Sequence, residues 1–95
     1  MRVYILAFND FMGTQQSVLN FIDTRREILN WFSVLPHSIF FVSELECYEL
    51  THVFKSAFPD RFFLISEIKG FTSGGLFPQA VWDFINSPKS SGRWK

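Results

Sequence analysis

The run Arg2-Val3-Tyr4-Ile5-Leu6-Ala7-Phe8 is apolar on both of its faces and leads straight into Asn9-Asp10. Successive side chains of a strand point to opposite sides, so a strand apolar on both belongs in the middle of a sheet that is covered on both faces. A carboxylate at the tip of such a strand is the clearest place in the chain for chemistry. With 95 residues there is enough chain for one compact core and too little for two, so a single domain over residues 1–88 is expected.

Thirteen Phe side chains are more aromatic surface than a core of this size needs. Burying each ring favours folding by roughly 1.5–3 kcal/mol, and a surplus of rings is expected to serve a partner. Nine basic and nine acidic residues cancel, which leaves no whole-molecule field to draw the chain to a phosphate backbone, so nucleic acid is not favoured by charge. The lone Cys47 cannot close an internal disulfide, and no apolar run has the length of a signal or membrane-spanning segment, so a cytoplasmic protein with no membrane partner is expected.

Thr14 is placed to cap a helix that carries Val18, Phe21 and Ile22 on one side to about Ile22. Thr24-Arg25-Arg26-Glu27 has the capping-box pattern and predicts a fresh turn from Arg25 to Leu29. Trp31–Leu35 and Ser38–Ser43, separated by Pro36-His37, predict two strands and a tight turn. Ser43 and Glu46 form another capping-box pattern ahead of a helix whose stripe is Cys47, Leu50, Val53, Phe54 and Ala57, stopped by Pro59. Arg61–Ile68 supplies a fourth strand, Gly70–Gly75 a flexible loop, and Pro78 opens a short last helix that Pro88 closes. Residues 89–95 are polar and basic and are expected to be a disordered tail.

The order strand, helix, strand, strand, helix, strand is that of the α+β ferredoxin-like split βαβ, a four-stranded antiparallel sheet here followed by a short C-terminal helix. Right-handed crossovers then set the spatial order fourth, first, third, second and put the two doubly apolar strands in the centre. Both main helices fall on one face. The other face needs a cover, which the helix from Pro78 could supply in part and a second copy of the chain could complete, giving a homodimer.

This topology brings Asn9, Asp10, His37 and Asp60 to one rim, where Asp10, His37 and Asp60 are candidate catalytic residues and Asp10 a candidate metal ligand. The alternative is that Asp10 pairs with Arg61 and that His37 and Asp60 are solvated turn residues. Arg2, Glu44 and Glu67 balance one another's charge at the opposite rim, His52 is solvated and Cys47 belongs to the core. Arg25 and Arg26 beside Trp31 could meet a nucleotide, or pair with Asp23 and Glu27. Gly70–Gly75 lacks the GK[ST] ending of a phosphate loop, and no motif calls for a cofactor.

An Asp directly after the first strand, the hairpin ending Ser38-Ile39-Phe40-Phe41-Val42-Ser43, and Phe62-Phe63-Leu64-Ile65-Ser66-Glu67 after a helix resemble the superfamily of the small CRISPR-associated adaptation protein, the virulence-associated protein D toxins and the SinR-like proteins. The resemblance covers about residues 1–68 and implies a ferredoxin-like homodimer. In some members the acid after the first strand is implicated in metal-dependent cleavage of RNA or DNA, which would give Asp10 of each protomer a shared Mg²⁺. Asn9 stands where a run of acids would be, and the helix after Pro78 is not part of the minimal pattern. The segments Asp23–Trp31 and Pro78–Ile85 resemble a bacterial subgroup of small proteins, which implies a bacterial or phage source. Two functions follow: a non-enzymatic homodimeric interaction module accessory to a defence or toxin system, with a protein partner, or a metal-dependent endonuclease built on Asp10.

Overall fold

The computed structural model describes residues 1–94. Four strands, β1 (Arg2–Phe8), β2 (Asn30–Phe32), β3 (Ser38–Ser43) and β4 (Phe63–Ile68), form one antiparallel open sheet, accompanied by the helices α1 (Gln15–Asp23), α2 (Cys47–Ala57) and α3 (Gln79–Asn86). The strands lie in the order β2-β3-β1-β4, the order expected from sequence, and β1 and β3 are central. None of the described helices is long and apolar enough to cross a membrane.

Alternation divides the sheet into two faces. Tyr4, Leu6 and Phe8 of β1, with Ile39 and Phe41 of β3 and Ile65 of β4, pack with Val18, Leu19 and Ile22 of α1 and Leu50 and Phe54 of α2. Phe54 is the hub of this layer, its ring 5.6 Å from that of Phe21, 6.0 Å from Phe41 and 6.0 Å from Phe63. On the other face Val3, Phe40 and Val42 bury Val81 and Ile85 of α3. The last helix therefore docks on its own chain and covers part of the face left open by α1 and α2.

Local chemistry sets the ends of the elements. The Thr14 hydroxyl accepts the Ser17 N–H at 3.1 Å and caps α1, an interaction that stabilises a helix by about 1 kcal/mol. The turn expected from Arg25 is present, with the Ile28 N–H donating to the Arg25 carbonyl at 3.2 Å, but the Thr24 capping box does not form: the Thr24 hydroxyl donates back to the Phe21 carbonyl at 2.7 Å and Glu27 is taken by Arg25. The cap of α2 is Glu46, not Ser43: Glu46 and Glu49 satisfy each other's backbone N–H groups. Ser43 is fully buried at the end of β3, where its hydroxyl donates to the Glu27 carbonyl at 2.6 Å. Ala57 is exposed, so the buried stripe of α2 is narrower than its sequence period indicates.

The hairpin is shorter than expected. In the observed register Phe32 opposes Phe40, so a longer β2 would place Val34 opposite Ser38. The Gln15 side-chain amide instead donates to the Ser38 carbonyl at 2.9 Å and to the Ser33 hydroxyl at 2.7 Å, and β2 ends at Phe32. Residues 89–94 lie against the body: Ser91 N–H donates to the Leu29 carbonyl at 2.9 Å, and Arg93 Nη2 and Trp94 Nε1 both donate to the Ile28 carbonyl. The composition that points to disorder is outweighed here by these side-chain donors, which satisfy a carbonyl next to the short β2. Lys95, the end of the expected tail, lies outside the described residues.

Candidate functional site

The rim at the end of β1 is built by two turns. After Phe8 the chain closes tightly: Phe11 N–H donates to the Asn9 side-chain carbonyl at 3.1 Å, and Met12 and Gly13 N–H groups donate to the Asn9 and Asp10 carbonyls. Gly13 has φ +143°, and a Cβ there would lie 2.5 Å from the Ser17 hydroxyl, so only glycine lets the turn enter α1. Opposite, His37 precedes β3 with φ +57°, and its carbonyl accepts the Phe8 N–H at 3.0 Å. That bond places the imidazole beside the tip of β1, edge-on to the Phe8 ring with centroids 5.9 Å apart.

His37 Nε2 contacts Asp10 Oδ1. The expected Asp10–Arg61 pair does not form; the imidazole has the carboxylate instead. Asp10 is 86% exposed at its side chain, so the pair stands in water, where such contacts contribute about 0–1 kcal/mol. Asp60 is exposed and follows Pro59 with φ +62°, and its side chain makes no hydrogen bond or ion pair among the described residues. No group of three His, Cys, Asp or Glu side chains able to hold a metal ion occurs among the described residues. Of the three residues singled out, the structure brings Asp10 and His37 together and does not add Asp60.

Both His37 and Asp60 are in the left-handed backbone region. Asp and His are enriched there among residues other than glycine, because a short polar side chain lowers the local strain. Turn geometry alone therefore accounts for two of the three residue types. Chemically, an exposed imidazole–carboxylate pair could accept or deliver a proton, but among the described residues no third side chain bonds to either group, and at 47% and 86% exposure both side chains stand open to water.

The other sequence candidates are separated. Arg25 donates through Nε and Nη2 to both oxygens of Glu27, at 3.0 and 2.8 Å, and this bonding pulls the Glu27 carboxyl below its ordinary pKa. Arg26 lies over the Trp94 ring at 5.0 Å, whereas Trp31 Nε1 donates to Asp23 at 2.8 Å, so Trp31 does not close a nucleotide site with the two arginines. A cavity of about 300 Å³ is lined by Thr24, Arg25, Arg26, Glu27 and Trp94, with its charges already balanced in part by Glu27. At the far rim Arg2 pairs with Glu46 at 3.3 Å, and Glu44 with the N-terminal ammonium at 3.6 Å, rather than the expected Arg2, Glu44 and Glu67 grouping. His52 is exposed, and the half-buried Cys47 thiol donates to the Ile65 carbonyl at 3.4 Å.

The sequence points to surplus apolar surface on the face away from α1 and α2 without singling out the residues that carry it. Phe62, just ahead of β4, and Leu64 within it are 82% and 62% exposed, and Leu35, between β2 and β3, is 45% exposed. Beside them, half-buried Ile5 lines a cavity of about 200 Å³ with Phe40, Phe77 and Trp82. The available signal was the alternation Phe62, Leu64, Ser66, Ile68, which puts these residues on the face away from α1 and α2 while β4 remains at the sheet border. No family model, no curated protein and no solved structure matches this chain.

Proposed function

We propose that this chain is a non-enzymatic interaction module of ferredoxin-like fold that acts as a homodimer in the bacterial cytoplasm, accessory to a defence or toxin system. The strand order β2-β3-β1-β4, with α1 and α2 sharing one face, supports the fold. The observation that carries the functional reading is the apolar surface left beside α3: Phe62, just ahead of β4, and Leu64 within it stay exposed while Val81 and Ile85 cover part of that face. Large exposed apolar groups gathered at one place mark an interaction surface, whereas the same groups scattered singly do not. Among the described residues the polar rim offers Asp10 and His37 and no group of three ligands for a metal ion, and the zero net charge gives no general attraction for a polyanion. The link to defence or toxin systems rests on the superfamily resemblance of residues 1–68.

Light scattering coupled to size exclusion tests the reading. A particle of twice the 11.2 kDa chain mass supports it, and a monomer at every concentration overturns it. The second reading, a metal-dependent endonuclease, is favoured by one observation, the exposed Asp10–His37 contact at the strand tip. It requires cleavage of RNA or DNA in Mg²⁺ or Mn²⁺ that Asp10→Ala abolishes without loss of folding; an inactive wild-type chain removes it.

A further inference from the structure

We infer that the homodimer of the proposed function forms by antiparallel pairing of β4 with β4 of a second copy, centred on Leu64, so that two four-stranded sheets become one of eight strands. The inference deepens that reading and depends on it. β4 is a border strand whose one strand neighbour is β1, with an unbroken register from Phe63 to Ile68 and no proline or bulge within it. Native border strands of this kind are normally blunted, and an open one is a template for another strand.

The direction of its outward backbone groups is fixed by two bonds. Phe8 N–H donates to His37, so Phe8, Leu6 and Tyr4 direct their backbone groups toward β3, while Ala7, Ile5 and Val3 direct theirs toward β4. Their partners Leu64, Ser66 and Ile68 are thereby satisfied, and the groups of Phe63, Ile65 and Glu67 point away from the sheet. The Ile65 carbonyl agrees, since its bond comes from the Cys47 thiol and not from β1.

A strand paired with its own copy about a twofold axis must set outward groups against outward groups. Only registers in which one residue opposes itself satisfy this. Centred on Ile65, the pairing sets Arg61 against Lys69; centred on Ser66, it sets Ile65 against Glu67; centred on Phe63, it leaves Arg61 facing Ile65. Centred on Leu64, it sets Arg61 against the partner's Glu67 twice over, and Phe63 against the partner's Ile65 as hydrogen-bonded pairs. Arg61 and Glu67 are both exposed and make no ion pair among the described residues, so both are available. Leu64 then meets the partner's Leu64 in the closely spaced, non-hydrogen-bonded position, and Phe62 reaches it on the diagonal, closing the exposed apolar surface into one row across the axis.

The geometry also separates the two readings of the protein. β1 ends beside the start of β4, so a dimer centred on Leu64 places the two Asp10 residues on opposite sides of the axis, roughly 20 Å apart by strand spacing and rise. No single ion is shared across that distance.

The test uses the full chain with Cys47→Ser. Leu64→Cys in that background is expected to give a disulfide-linked dimer under mild oxidation, while Phe63→Cys and Ile65→Cys give little. Arg61→Glu is expected to weaken dimerisation by at least about tenfold in sedimentation equilibrium, and Arg61→Glu with Glu67→Arg to restore it. A dimer that persists with Arg61→Glu unchanged and Leu64→Cys uncrosslinked overturns the β4 interface and leaves the homodimer reading standing. A wild-type chain that is monomeric throughout overturns both.

Discussion

Val81 has no exposed surface and Ile85 almost none, and they anchor α3 to the sheet against Val3, Phe40 and Val42, with Phe84 meeting the Phe32 ring at 5.6 Å beside them. Val81→Ala removes two methyl groups that are wholly out of water. Transfer at about 0.8 kcal/mol each gives about 1.6 kcal/mol, the space left behind adds to it, and the better helix propensity of alanine returns about 0.5 kcal/mol, so the net loss is about 2 kcal/mol. In a domain of this size a loss of 1 kcal/mol lowers the melting temperature by about 4–8 °C, so Val81→Ala is expected to melt about 8–16 °C lower. Urea unfolding followed by circular dichroism measures the change at constant m-value. Asp83→Ala serves as the control on the same helix: Asp83 is exposed and loses one hydrogen bond from Gln79, at a cost of no more than about 0.5 kcal/mol. If Val81→Ala costs no more than Asp83→Ala, α3 is not docked on this face in solution. The face would then be free for another occupant, and the placement of the dimer at the β4 border would lose its premise.

Tyr4→Phe is expected to lose about 1–3 kcal/mol in the same assay, because the hydroxyl donates to the Leu45 carbonyl at 2.6 Å and that carbonyl would be left without its partner. Burial raises the Tyr4 pKa above its ordinary value, so its contribution is whole below that value and declines as pH climbs through it toward the raised one; the wild type should lose stability there more steeply than Tyr4→Phe. Glu27 titrates in the opposite sense: its depressed pKa gives stability that is present above the ordinary glutamate range and is lost as pH falls through the folded value, and Glu27→Gln should flatten that acid limb. Arg25 is 38% exposed, so water screens the pair and the effect should stay under about 1 kcal/mol. Asp60→Gly should be neutral or stabilising and Asp60→Val destabilising by about 1–2 kcal/mol in thermal melts, since φ is +62° there.

Much of the sheet was legible because β1 and β3 are apolar on both faces, and only a central position satisfies that pattern. Helix starts were less so. Thr14 caps α1 as its residue type indicates, yet Ser43, with an equally good local pattern, is drawn into a buried bond with the Glu27 carbonyl, and Glu46 takes the cap. Such a choice depends on a residue sixteen positions away, which no local signal contains. The same holds for Gln15, whose amide shortens β2 by occupying the Ser38 carbonyl. At the rim, topology correctly brought Asp10 beside His37, because β1 and β3 are antiparallel neighbours. It could not show that Asp60 would make no contact with them, since a strand order locates a turn and leaves its side chains undirected. The face of Phe62 and Leu64 could be read from the alternation that runs through residue 62 into β4, but whether a face is covered by α3 is a tertiary fact.

Residue-resolved amide exchange at a series of protein concentrations tests most directly the claim that β4 pairs with its own copy. The outward amides of Phe63, Ile65 and Glu67 are expected to exchange quickly in dilute protein and to become protected as concentration rises, while those of Leu64, Ser66 and Ile68, bonded to β1, stay protected throughout. Fast exchange of Phe63, Ile65 and Glu67 at every concentration, in a chain that is nonetheless dimeric, would contradict it.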